Sequence, residues 1–221
     1  MNPHTIKVST TGTSNGSSVN KGGVYAYDNG LGVTSTGESS SSPHHTMDNL
    51  GGRKDFIVLQ FDQFVELESA KFTTYNMNSG NNSRFDGDAT IAYGITGANW
   101  TTDPLGNATN YAQLSSLFGN SFAASNVPST SGQTSTVRTL NGANNVGNIW
   151  LIGAAFTNPV ENCGTKKNEL CYDGFKLSAL KFQTAQAPVP EPATWMMMIL
   201  GFGLIGYGIR RQKAAVRFSH A

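Results

Sequence analysis

The sequence predicts an all-β fold, an antiparallel sandwich or barrel with one short helix, followed by a single C-terminal transmembrane helix. Three observations predict it. Short apolar runs rich in Val, Ile, Phe, Tyr and Thr recur along residues 24–182, each closed by Gly, Asn or Asp. Only 13% of the 221 residues are charged, against about 25% in an ordinary soluble domain, so turns are many and ion pairs few. Residues 193–209 form one apolar stretch without a charge. A hydrophobic content of 38% and an aromatic content of 10% suffice for one buried core and exceed what a disordered chain carries.

The elements follow in order. Residues 1–23 are dominated by Ser, Thr, Asn and Gly without an apolar period, which predicts a flexible polar arm, an edge strand at most. Gly12 to Gly16 spell Gly-x-Ser-x-Gly, but no hydrophobic strand feeds them and no helix follows, so no nucleophile is assigned there. The outer domain spans 24–186, with strands expected at 24–27, 55–61, 65–67, 70–75, 89–93, 148–156 and 174–182. In 55–61 apolar residues occupy both faces, as in a central strand, whereas 71–75 reads as half exposed. Residues 111–118 form the one convincing helix, with Leu114, Leu117 and Phe118 on one side. Residues 123–148 read as a long loop with one weak strand, and Trp150, inside Ile-Trp-Leu-Ile, as a core residue.

The run Ala-Pro-Val-Pro-Glu-Pro over 187–192 can hold neither sheet nor helix and is an extended, protease-accessible linker. Residues 193–209, at about 1.5 Å per residue, reach about 25 Å, just short of a bilayer core. Trp195 and Tyr207 stand near the two ends, where amphipathic rings prefer the interface, and Arg210, Arg211 and Lys213 follow as a membrane stop. By the positive-inside rule 210–221 is a basic cytoplasmic tail and the preceding residues are outside. A buried core helix is the competing reading, opposed by Gly201, Gly203, Gly206 and Gly208, each costing a helix in water about 0.8–1 kcal/mol relative to Ala. Their Gly-x-Gly-x-x-Gly spacing lacks the preceding strand, following helix and later acid of a dinucleotide site.

The order Val-Pro-Glu-Pro-Ala-Thr-Trp-Met-Met-Met-Ile-Leu-Gly-Phe-Gly-Leu-Ile-Gly, then Arg-Arg, resembles the PEP-CTERM sorting signal of Gram-negative bacteria. The resemblance implies that Pro190, Glu191 and Pro192 are recognised by an exosortase, a membrane cysteine protease that removes the anchor. It also implies a host that makes exopolysaccharide and a cargo sorted at the inner membrane, then bound for the cell surface or biofilm matrix. The extension 214–221 beyond the arginines departs from the pattern. Residues 1–10 contain no apolar h-region of a secretory signal, so the true start is expected upstream. A second resemblance rests on Leu-Gly-Val at 31–33, His-Thr-Met-Asp-Asn at 45–49, Asp-Phe-Ile-Val-Leu-Gln-Phe at 55–61, Trp-Leu-Ile-Gly at 150–153 and Asp-Gly-Phe-Lys-Leu at 173–177. These are similar to a group of exosortase-dependent surface proteins, which implies a jelly-roll-like β-sandwich and carries over no enzymatic activity.

Candidate chemistry is sparse. Cys163 and Cys171, in an Asn/Gly/Lys-rich turn, suit a disulfide if the chain is exported, with two free thiols as the alternative. A zinc site is not expected, because His4, His44, His45 and His220 lie far away in sequence and no Cys-x-x-Cys exists. Asp48, Asp86, Asp88 and Asp173 each adjoin Asn or Gly, and Asp86 and Asp88 project to one side of an extended chain, so a structural Ca²⁺ needing 6–8 oxygens is one reading. Plain turn formation is the other, and the sequence favours it. Among the aromatic residues Tyr93, Trp100, Tyr111 and Trp150, Trp100 is flanked by polar residues and is the sugar-stacking candidate. Basic residues before 187 are scattered and slightly outnumbered by acids, which argues against nucleic-acid binding. The expected function is a non-enzymatic exported surface or matrix protein, sorted by exosortase and associated with exopolysaccharide. A carbohydrate-binding module, Ca²⁺-dependent or not, is the alternative, and a secreted glycan hydrolase a remote third.

Overall fold

The computed structural model describes residues 6–14, 18–20, 22–34, 45–50, 53–77, 85–98, 102, 111–124, 132–140, 145–156, 161–162, 170–185 and 192–212. The chain divides into two units, Met1–Ala185 and Gln186–Ala221. The first is built from β1 (Ile6–Ser14), β2 (Ser18–Asn20), β3 (Gly23–Tyr27), β4 (Gly30–Thr34), β5 (Met47–Asp48), β6 (Lys54–Asn76), β7 (Phe85–Asp86) and β8 (Ala89–Gly94). Then come helix α1 (Tyr111–Ser116), β9 (Asn120–Ala124), β10 (Ser135–Thr139), β11 (Val146–Ala154), the short pair β12 (Glu161–Asn162) and β13 (Leu170–Cys171), and β14 (Gly174–Thr184). All pairings among the described residues are antiparallel.

Strand β6 organises this unit. Its 23 residues contain neither Gly nor Pro and are rich in Val, Phe, Ile and Thr, so nothing in the sequence interrupts an extended backbone. Its first half pairs with β1 on one side and β11 on the other, and its second half with β10 and β14. The main path runs β3-β4-β14-β6-β11-β8-β9. An antiparallel β architecture therefore forms as the sequence predicts, whereas the jelly-roll arrangement is not shown by these pairings. The segment 1–23, expected as a flexible arm, supplies β1 and β2. Its lack of an apolar period did not prevent this, because β1 joins β6 through the main-chain ladder, from Ile6 opposite Phe61 to Thr13 opposite Lys54.

Register changes decide which side chains reach the core. Ile57, Leu59, Phe61, Val65 and Leu67 lie in one hydrophobic cluster at odd positions, but Ala70 and Phe72 join it at even positions. The reversal falls at Glu68, which is skipped where Phe182 pairs with Leu67 and Lys181 with Ser69. One extra residue flips the alternation, as a bulge must. Both halves of β6 thereby supply the same cluster, completed by Ile91, Trp150, Ile152, Phe175 and Leu177. On the opposite face of its first half Phe56 and Val58 pack with Ile149, Leu151 and Leu114 of α1, which is the two-sided burial predicted for 55–61. Residues 71–75 are more buried than expected. Thr73 and Thr74 lie inside, and their hydroxyls are matched by Ser135 and Ser178, and by Thr134.

Trp150 is fully buried, its indole N–H donating to the Gly147 carbonyl at 3.2 Å and its ring stacked on Tyr93 at 5.0 Å. The β3–β4 turn depends on Gly30, whose φ of +119° brings it against the Leu177 backbone, where an added Cβ would lie 2.5 Å from a carbonyl oxygen.

The second unit contains α2 (Pro192–Gln212), begun by a proline whose fixed φ suits a first helical turn. Among the described residues no helix is long and apolar enough to cross a membrane. The transmembrane helix expected over 193–209 is corrected accordingly. Gly201, Gly203, Gly206 and Gly208 dilute the apolar surface, and Arg210 ends the charge-free run before a full span is reached.

Candidate functional site

The chain gathers its acids where three segments meet: the stretch after β5, the turn between β7 and β8, and the residue before β14. Asp86, Asp88 and Asp173 are buried, and one carboxylate oxygen from each lies within 4.8 Å of the others. These three segments are short because Asp, Asn and Gly satisfy their own turns. Asp86 accepts from the Gly87 N–H at 2.8 Å, and Asp173 accepts from the Asp88 N–H at 2.8 Å through one oxygen and from the Asn49 side-chain amide at 2.5 Å through the other. Asn49 closes the loop by accepting from the Asp173 N–H at 2.9 Å. Asp48 is buried but is not one of the grouped acids, and it accepts from the Thr46 hydroxyl at 3.1 Å and the Leu50 N–H at 3.0 Å. Of four acids named from sequence, the structure unites three and puts the fourth to work in a local turn.

Sequence reasoning missed Arg138. On β10 its neighbours Val137 and Thr139 are exposed while Arg138 is only 8% exposed, its guanidinium donating to the Gly87 carbonyl at 2.6 Å and lying 4.8 Å from the Phe72 ring centre. Burial pulls its pKa down from the ordinary value, and attraction to Asp88, Asp86 and Asp173 opposes that fall. Asp173 moves the other way. Burial first, then repulsion from Asp86 and Asp88, raises it from 3.8 to about 8, with the bonds from Asp88 and Asn49 opposing. At neutral pH Asp173 therefore holds a proton. A divalent cation would favour the ionised triad instead, because it binds carboxylate oxygens and one from each of the three lies close to the others.

The remaining candidates are placed as follows. Trp100, Cys163, Pro190, Glu191 and Lys213 lie outside the described residues. Cys171 belongs to β13, opposite Glu161 of β12. Pro192 opens α2, whose last turn carries Arg210 and Arg211. Among the described residues of α2, Trp195, Met196, Met197, Met198, Ile199 and Phe202 are all exposed.

Residues 188–212 match the family model of the PEP-CTERM protein-sorting motif. The match covers Pro190, Glu191, Pro192, Arg210 and Arg211. No protein of curated function gives a significant match to the chain. The motif implies an exosortase-sorted exported protein, with a membrane-associated sorting step and delivery to the cell surface.

Proposed function

We propose that this chain is a non-enzymatic surface or matrix protein, cleaved at Pro190-Glu191-Pro192 by exosortase and then associated with exopolysaccharide. The observation that carries the proposal is the sorting motif at 188–212, joined to a β unit that closes before it at Ala185. The apolar helix α2 then serves as a removable address: it associates with the membrane while the protease acts and is left behind afterwards. Its exposed Trp and Met side chains favour an apolar or interfacial environment. Replacing Pro190, Glu191 and Pro192 with alanine in the native host tests this. The expected result is a longer chain retained in the membrane fraction; unchanged length and location would refute cleavage at this motif.

A second reading, a Ca²⁺-dependent carbohydrate-binding module, is favoured by the approach of Asp86, Asp88 and Asp173. It predicts that millimolar Ca²⁺ raises the melting temperature of the chain and that Asp86→Asn abolishes the rise. A melting curve indifferent to Ca²⁺ and chelator would remove it.

A further inference from the structure

The face of the sheet opposite the Leu31 and Leu177 core side carries a cation held by rings rather than by acids. Lys176 of β14 is only 3% exposed, and its Nζ lies 3.9 Å from the ring centre of Tyr27 and 4.9 Å from that of Tyr75. Among the described residues no carboxylate pairs with it. Aromatic faces attract the charge of an ammonium but leave its three N–H donors without lone pairs to bond. The Tyr75 hydroxyl is buried without a hydrogen-bond partner. Gly32 on β4 makes the arrangement feasible, since a Cβ there would overlap the His45 carbonyl oxygen and meet the Lys176 stem at 3.6 Å.

Next to this cation stands an aromatic platform. Tyr25 and Tyr27, two apart on β3, project to the same side with ring centres 6.3 Å apart, and they are 42% and 38% exposed. The Tyr25 ring lies over Gly23, whose missing side chain would otherwise meet it at 2.8 Å, so one ring face rests on backbone. Strand β3 ends the sheet path, leaving the platform at an edge among the described residues.

We infer that Tyr25, Tyr27, Tyr75 and Lys176 form a subsite for an acidic sugar, a uronic-acid unit of a polysaccharide. The inference rests on the polysaccharide-associated reading above and gives it a chemical class. The apolar C–H face of a pyranose stacks on the tyrosines, and its carboxylate supplies the acceptor that the Lys176 ammonium lacks. A charge-assisted bond of this kind is stronger than any a neutral sugar offers at the same position.

The test is calorimetric titration of the full chain in detergent with oligogalacturonate, with a neutral cello-oligosaccharide of equal length, and with phosphatidylglycerol vesicles. The expected result is salt-sensitive binding of the uronate. It should be weakened on the order of tenfold or more by Lys176→Met, restored in part by Lys176→Arg, and weakened by Tyr25→Ala. Equal binding of both sugars, unaffected by Lys176→Met, would overturn the acidic subsite while leaving polysaccharide association intact. Binding of neither sugar would overturn both. Vesicle binding that Lys176→Met weakens, without uronate binding, would reassign the face to a lipid surface and overturn it as well. If Lys176→Met does not fold, the exposed Tyr25→Ala variant decides: uronate affinity equal to the wild type refutes the subsite.

Discussion

Trp150 and Trp195 are the same residue in opposite circumstances. The first is wholly enclosed in the β unit, stacked on Tyr93 and bonded through its indole N–H, whereas the second is 58% exposed on α2. The contrast extends to charge. The β unit buries Asp86, Asp88, Asp173 and Arg138 together, while α2 displays Met, Ile, Leu and Phe outward and keeps its arginines for its last turn. A folding unit takes apolar groups in and admits ions only with partners; α2 presents its apolar groups outward, and it lies in a motif that implies a membrane-associated sorting step. The two tryptophans thus separate residues that stabilise the chain from residues that direct it.

The largest effect is expected from Trp150→Ala. Removal of a fully buried indole is expected to cost about 3–5 kcal/mol, measured by urea unfolding of the β unit. A cost below about 1 kcal/mol would mean that the core does not depend on it. Next is Arg138→Met, which removes the guanidinium that lies beside Asp86, Asp88 and Asp173; a loss of about 3 kcal/mol is expected near neutral pH. Stability after this change should recover in acid, where the carboxylates are neutral.

A smaller effect comes from pH alone. Asp173 binds its proton more tightly in the folded chain, where its pKa is about 8, than at the ordinary 3.8. Its contribution is therefore fully present below about pH 4, declines as pH rises through 8, and stays lost above. Urea midpoints across that range should fall with this slope, and Asp173→Asn should flatten it; a slope unchanged by the substitution would place the titration elsewhere. The smallest effect is Trp195→Ala, expected to shift the unfolding of the β unit by less than about 0.5 kcal/mol while lowering partition of the full chain into vesicles. A large loss of stability there would erase the distinction between the two tryptophans.

Much of this was legible in the sequence, and the exceptions have physical causes. The apolar runs at 55–61, 89–93, 148–156 and 174–182 became β6, β8, β11 and β14 because cores are built from such runs. Strand β1 was not legible, since a ladder of main-chain bonds leaves no apolar period behind. The bulge at Glu68 was hidden for a related reason: alternation read from letters assumes one register throughout a strand. Asp86, Asp88 and Asp173 were visible as acids beside Gly, but the letters could not separate them from Asp48, an acid beside Asn with different partners. Arg138 lies among Thr and Val in a stretch that reads as a long loop with one weak strand, and only the fold turns it inward. The sorting motif was the clearest signal because it is a contiguous string, needing no tertiary contact to be recognised. A span could not be read as directly, because glycine counts as apolar in the letters and contributes almost no surface.

The pairing of β14 with β6 has a mechanical consequence. The last residue of the β unit, Ala185, donates its N–H to the Phe64 carbonyl at 2.8 Å, and β14 before it is zipped along residues 65–74 of β6. Any pull on the chain from its sorting end enters the molecule at the middle of its longest strand. When that pull runs along β14, its ladder is loaded in shear, so many hydrogen bonds bear the force together rather than peeling one after another. Tension during handling at the membrane is then carried by the spine of the fold rather than by an edge strand that would strip away.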